Sequence, residues 1–214
     1  MADPFEQARN DMVDRQLAPS DIEDERILDA MRAVPRHLFV PAHSRHLAYG
    51  DHPVPVGHGQ TISQPYIVAC MIQLARIEPG QRVLDVGTGS GYQAAVVAEM
   101  GAEVWSIEIV PELAQKAKAA LAEAGYRVRT TLGDGYCGWT AGAPFDAILV
   151  AASPSHVPQP LLEQLAIGGR LVLPVGNEWE QTLVGYHRTG PEQWEREESL
   201  KVLFVPMTGE AQRR

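Results

Sequence analysis

Followed from its first residue, the pattern of apolar and polar positions divides the chain into two regions. Between residues 7 and 34 apolar side chains recur at helical spacing, as in Ile27, Leu28, Met31 and Val34. The pattern breaks near Pro19, and Ser20 with Glu23 three residues later reads as a capping box opening the next helix. From 35 to 64 the periodicity is lost. Pro35, Pro41, Pro53, Pro55, Gly50, Gly57 and Gly59 predict a loop carrying short extended pieces. A helix resumes at Pro65, since proline is tolerated in a first turn, and runs to the neighbourhood of Ile77. Ser63, just ahead of it, is placed to cap it.

Beyond residue 80 short apolar runs alternate with helical stretches. RVLDVG predicts a first strand, Tyr92 to Met100 a helix, EVWSIEI a second strand and Pro111 to Ala124 a second helix. VRTTLGD and FDAILVAA predict the third and fourth strands. A helix from Pro160 to Ala166 should stop at Gly168-Gly169, followed by RLVLPVG as the fifth strand. TLVGYHR and LKVLFVP predict two more, joined by a turn at Gly190-Pro191. Strands alternating with helices imply a mostly parallel sheet covered on both faces, an α/β doubly wound fold. The last two strands have no helix between them and should pair antiparallel at one edge. The expected organisation is a single domain over 1–214, with a helical extension at 1–79 and a ligand-binding core at 80–214.

Composition narrows the function. With 45% hydrophobic residues, 214 positions suffice for one well-filled core. A net charge of -9 argues against nucleic-acid or anionic-membrane binding, which need a basic face. The two cysteines, Cys70 and Cys137, form no Cys-x-x-Cys, so two reduced thiols are expected. His43, His46, His52 and His58 match no zinc spacing, and no metal is expected. The first residues lack the apolar core of a secretory leader, and no run approaches the roughly 20 apolar residues that span a bilayer. A cytoplasmic monomer is the expectation.

The chemistry concentrates after the first strand, at Asp85-Val86-Gly87-Thr88-Gly89-Ser90-Gly91. Glycines here let the main chain turn tightly and approach a ligand. The dinucleotide fingerprint is G-x-G-x-x-G, whereas this spacing is G-x-G-x-G, with Tyr92 where the third glycine would stand. A ligand without phosphate is favoured. Glu108 ends the second strand, where a carboxylate accepts hydrogen bonds from ribose hydroxyls, and Asp134 ends the third, beside Gly135. Each acid alone also suits a solvated loop or a helix cap. Together, Asp85, Glu108 and Asp134 suit a cationic adenosine compound, and S-adenosyl-L-methionine fits, having a sulfonium and an ammonium.

The segments MVDRQL, VPRHLFVP, AYGDHPVPVGHGQTISQPYIVA, VLDVGTGSGYQAA, the GDG turn and GGRLVLPVG resemble class I S-adenosylmethionine-dependent methyltransferases. Among them the chain is similar to the protein-L-isoaspartate O-methyltransferase family, with GQTISQPY the most specific of these matches. The resemblance implies a seven-stranded Rossmann-like methyltransferase sheet. It also implies methyl transfer to the free α-carboxylate of L-isoaspartyl residues in damaged proteins and peptides, initiating repair through a succinimide. By the family's pattern Ser63 falls on the active-site serine. Gly87, Gly89 and Gly91 fall on the methionine-binding turn, Glu108 on the ribose acid, and Asp134 with Gly135 on the adenine-side turn. Three departures bear on substrate contacts, one of them a short C-terminal tail from Thr208. Ile109 stands where many members carry a basic residue, and Ala151-Ala152-Ser153-Pro154 where members often have Ala-Pro.

An α-carboxylate is already ionised at neutral pH, so the reaction asks for no general base. It asks for donors that orient the carboxylate without neutralising it. Ser63 is the expected donor, with Thr61 and Gln64 as further substrate contacts. Two other readings compete: a methyltransferase of a small molecule, and a non-catalytic S-adenosylmethionine-binding subunit.

Overall fold

The computed structural model describes residues 3–213. Helix α1 (Glu6–Met12) continues into a π-helical turn over Val13–Leu17, and α2 (Glu25–Ala33) follows. Short 3-10 turns at Arg36–Phe39 and Ala42–Leu47 lead to a small hairpin, β1 (Val54–Gly57) and β2 (Gln60–Ile62). Helix α3 (Pro65–Ala75) leads into β3 (Arg82–Val86), α4 (Tyr92–Glu99), β4 (Glu103–Glu108), α5 (Pro111–Glu123) and β5 (Arg129–Leu132). The chain then forms β6 (Phe145–Val150), α6 (Gln159–Glu163), β7 (Leu165–Gly176), β8 (Gln181–Gly190) and β9 (Gln193–Val202).

Strands β3 to β9 make one seven-stranded sheet in the order β5-β4-β3-β6-β7-β8-β9. The pairs from β5 through β7 are parallel, and β7-β8 and β8-β9 are antiparallel. The chain winds outward from β3 to β5, then returns to place β6 on the other side of β3. That reversal opens a crevice beyond the carboxyl ends of β3 and β4, where ligands bind in open α/β sheets. Apolar side chains cover both faces. One cluster runs from Met12 through α2, α3 and α4 to Val172 and Leu183, and the other gathers Leu84, Ile148, Leu161, Leu171 and Met207. Among the described residues no helix is long and apolar enough to cross a membrane.

Three expectations change. Ser20 does not open α2: its hydroxyl donates to the Leu17 carbonyl, and the carboxylate of Asp24 caps the helix by accepting from the amide of Arg26. The intervening segment is held from outside, because Gln73 of α3 accepts from the amide of Glu23 and donates to the carbonyl of Asp21. The helix after β6 stops at Glu163, and Leu165 already pairs with Phe145. Gly168-Gly169 therefore lies inside β7 at a register shift. A side chain at Gly169 would stand 2.9 Å from the carbonyl oxygens of Ala166 and Asp146. The last strand is Gln193–Val202 rather than LKVLFVP. The Gln181 amide clamps both main-chain groups of Phe204, and Val205 and Met207 turn away to pair with Ser153.

Candidate active site

The crevice is a cleft of about 870 Å³, counting its open mouth, within the range of small-molecule sites. Its floor is the turn after β3. Gly87 and Gly89 have φ of +86° and +54°, a region L side chains rarely adopt. The amides of Gly87 and Thr88 are tied to the carbonyl of Ile107, so the turn is pinned to β4.

Asp85 belongs to strand β3 itself and does not line the cleft. Its buried carboxylate accepts from Gln93 of α4 at 2.8 Å and from Ser106 of β4 at 2.7 Å. Thr88 is in turn 2.6 Å from Ser106. Burial pushes the Asp85 carboxyl up to about 6, against the opposing pull of those two donors, and the charge of Glu108 adds to the rise. Gly91 is also outside the cleft. It is the residue before α4, with φ +91°, where a Cβ would press on Leu121.

Glu108 and Asp134 line the cleft, but each is also held by main chain. Glu108 accepts from the amides of Gly89 and Val110, one on each oxygen, which leaves further lone pairs on both. Asp134 accepts from Tyr136 and, across the fold, from the amide of Glu210. Its carboxylate thus ties down the C-terminal segment, and the neighbouring main chain of Gly135 is the group nearest in sequence left for a ligand edge. A Cβ at Gly135 would come within 2.4 Å of Val86 Cγ1, so only glycine fits there. The donor set suits the expected compound: acids for hydroxyls and cationic groups, glycine main chain for close approach, and a first α4 amide engaged by Ser90 instead of open to phosphate.

The hairpin turns through Gly57, His58 and Gly59, all at positive φ, and so brings Thr61 and Ser63 to the cleft wall. Neither hydroxyl has a hydrogen-bond partner among the described residues, while the Ser63 carbonyl accepts from Arg36 at 2.7 Å. Ser63 does not cap α3. The residue before that helix is Gln64, and Asp51 caps instead, accepting from the amide of Tyr66 and from the Gln64 side chain. Gln64 is therefore turned away from the cleft.

The structure thus gathers Thr61, Ser63, Gly87, Gly89, Glu108, Asp134 and Gly135 around one cleft and leaves Gln64, Asp85 and Gly91 outside it. Sequence reasoning missed the wall formed by Val205 to Thr208, brought in by the bridge between Ser153 and Pro206, and no local signal marks it. Ile109, the departure noted in the sequence, lies at the rim and presents an apolar side chain there. Tyr92 lines the cleft, whereas Trp105 does not; it packs edge-on to Trp139 with Arg129 over its ring.

Known proteins resemble this chain in sequence and in fold. The model of the protein-L-isoaspartate(D-aspartate) O-methyltransferase (PCMT) family matches residues 7–212. The protein-L-isoaspartate O-methyltransferase of Gloeobacter violaceus is 55% identical over 200 residues, spanning 93% of this chain and 98% of that one. That of Opitutus terrae is 62% identical over 169 residues, spanning 78% and 72%. A crystal structure of a Plasmodium falciparum chain described as PCMT, in complex with S-adenosyl-L-homocysteine, shares the fold: TM-score 0.83 at 24% identity over 94% of this chain and 98% of that one. By its sheet, its cleft and these relatives, the chain belongs to the protein-L-isoaspartate(D-aspartate) O-methyltransferase family.

Proposed function

We infer that this protein transfers the methyl group of S-adenosyl-L-methionine to the free α-carboxylate of L-isoaspartyl residues in polypeptides. The observation that carries the reading is the pair of unpartnered hydroxyls, Thr61 and Ser63, on a cleft that also presents Glu108 and the glycine turn. When bound, S-adenosyl-L-methionine supplies an electrophilic methyl carbon on a sulfonium. Glu108 would hold the ribose hydroxyls through its free lone pairs, the turn at Gly87 and Gly89 the methionine portion, and the main chain at Gly135 the adenine edge.

The acceptor carboxylate is ionised at neutral pH, with an ordinary pKa of about 3.3–3.7, so no residue need remove a proton. Ser63 donates a hydrogen bond to one carboxylate oxygen and aims the other along the line of the breaking carbon–sulfur bond, with Thr61 supporting it. Alignment of this kind is worth about 7–11 kcal/mol in favourable cases. With the cofactor bound, an oxygen–carbon bond would form as carbon–sulfur breaks, S-adenosyl-L-homocysteine would leave, and carboxylate and sulfonium would lose their charges together. Buried apolar walls at Val86, Ile107 and Met207 favour that neutralisation by limiting water. The ester leaves the protein, and attack by the following main-chain nitrogen expels methanol and closes the succinimide.

The test pairs two peptides that differ only in isoaspartyl or aspartyl linkage, each incubated with methyl-labelled S-adenosyl-L-methionine. Base-labile label on the isoaspartyl peptide alone is expected. Label on neither, in protein that binds the cofactor, overturns the reading.

A further inference from the structure

The segment Val34–Pro41 lies within the part of the chain that the family model matches. At its centre Arg36 is fully buried. Among the described residues it is the one arginine or lysine in the buried class. Its Nε donates to the Ala48 carbonyl and its Nη2 to the Ser63 carbonyl, each at 2.7 Å. Nη1 is buried without a partner. The guanidinium carbon lies 4.6 Å from the centre of the Tyr92 ring, and the buried Tyr92 hydroxyl interacts with the cation without a well-formed hydrogen bond. No carboxylate forms an ion pair with Arg36 among the described residues, although the charge of Asp51 acts on it.

Arginine stays protonated in proteins, and burying a charge without a counter-ion is costly. Two carbonyl dipoles and an aromatic face replace water only in part. What the arrangement lacks is an anion. Ser63 and Tyr92, the two residues this cation stands behind, both line the cleft. We infer that Arg36 is a positioning residue for the acceptor: it fixes Ser63 through its carbonyl and supplies the positive potential that draws a carboxylate substrate to this wall. The proposal rests on the function inferred above and adds to it the source of the anion preference. Because the cation sits behind Ser63, it attracts the carboxylate without a direct hydrogen bond that would blunt attack. The same field opposes a sulfonium and is indifferent to a neutral thioether. It therefore weakens S-adenosyl-L-methionine relative to S-adenosyl-L-homocysteine.

That second consequence separates charge from scaffolding. Arg36→Gln and Arg36→Met remove the charge, and Arg36→Lys keeps it. Calorimetry gives the affinities for the two adenosyl compounds, and peptide kinetics give KM and kcat. The neutral variants should raise the isoaspartyl KM about tenfold, as for loss of an attracting charge. They should also shift the ratio of affinities toward S-adenosyl-L-methionine by about threefold, with Arg36→Lys restoring both toward the unmodified values. An unchanged ratio, with Arg36→Lys as impaired as Arg36→Gln, would make Arg36 a scaffold and overturn the inference. The unmodified protein offers a reading that needs no substitution. An isoaspartyl peptide with its α-carboxylate converted to carboxamide should compete about tenfold less well than the carboxylate. Equal competition overturns the anion-charged wall. If the unmodified protein methylates no isoaspartyl peptide, the functional reading fails, while the ratio of cofactor affinities still decides the role of the Arg36 charge.

Discussion

Asp85→Asn gives a sharp physical test of how the floor of the cleft is built. The Asp85 carboxyl is buried between β3, β4 and α4, and its pKa is pushed up from 3.8 to about 6. The difference of roughly two units corresponds to about 3 kcal/mol at 1.36 kcal/mol per unit. Below the unfolded value both states hold the proton, and the group contributes no pH dependence. Between 3.8 and about 6 the folded chain keeps a proton that the unfolded chain has lost, so stability falls as pH rises. Above about 6 the whole cost is present. Asparagine keeps the shape and cannot ionise. The stability of Asp85→Asn minus that of the unmodified protein should therefore climb by about 2 kcal/mol between pH 4 and pH 7. Urea unfolding of both proteins across that range, without cofactor, measures the difference directly. A flat difference, or one that declines with pH, refutes a buried and destabilised carboxylate. It would leave Asp85 as an ordinary ionised partner of Gln93 and Ser106.

Other outcomes follow from neighbouring residues. Ser63→Ala removes a hydroxyl that supports nothing else in the fold, so turnover of the isoaspartyl peptide should fall about 10- to 100-fold while S-adenosyl-L-methionine affinity, read by calorimetry, holds. Gly135→Ala places a methyl group 2.4 Å from Val86 Cγ1 and should cost about 1–3 kcal/mol in urea unfolding, together with cofactor affinity. Gly209→Ala, at φ +80° and 2.4 Å from the Asp134 carboxylate, should loosen the C-terminal wall and speed amide hydrogen exchange at Met207 and Glu210, with little change at β3.

What the sequence revealed and what it hid have physical causes. RVLDV and FDAILV announce themselves because parallel strands buried on both faces are continuous apolar runs. The glycine turn is legible because Gly87 and Gly89 occupy positive φ that only glycine adopts cheaply. Strand β9 was misplaced because it is an edge strand whose side chains are mostly exposed. Among its residues QWEREESLKV only Trp194, Leu200 and Val202 pack on the core, and the backbone of the apolar stretch beyond it is held by the Gln181 clamp and the Ser153 bridge. The cap of α3 was misassigned for a different reason. Asp51 lies 15 residues before the amide it caps, and only the fold of the intervening hairpin brings the two together. Asp134 illustrates the same limit, since its partner amide is 76 residues away. Arg36 is hardest of all to foresee, because arginine is among the residues least expected inside a core.

The central claim, that this cleft starts repair of isoaspartyl linkages, is tested most directly by the fate of one peptide. An isoaspartyl peptide is incubated with the protein and excess S-adenosyl-L-methionine, and its isomers are resolved by chromatography over time. The account predicts a transient methyl ester, then succinimide, then normal aspartyl peptide accumulating as the isoaspartyl form declines. Isoaspartyl peptide that stays constant while S-adenosyl-L-methionine is consumed would contradict it.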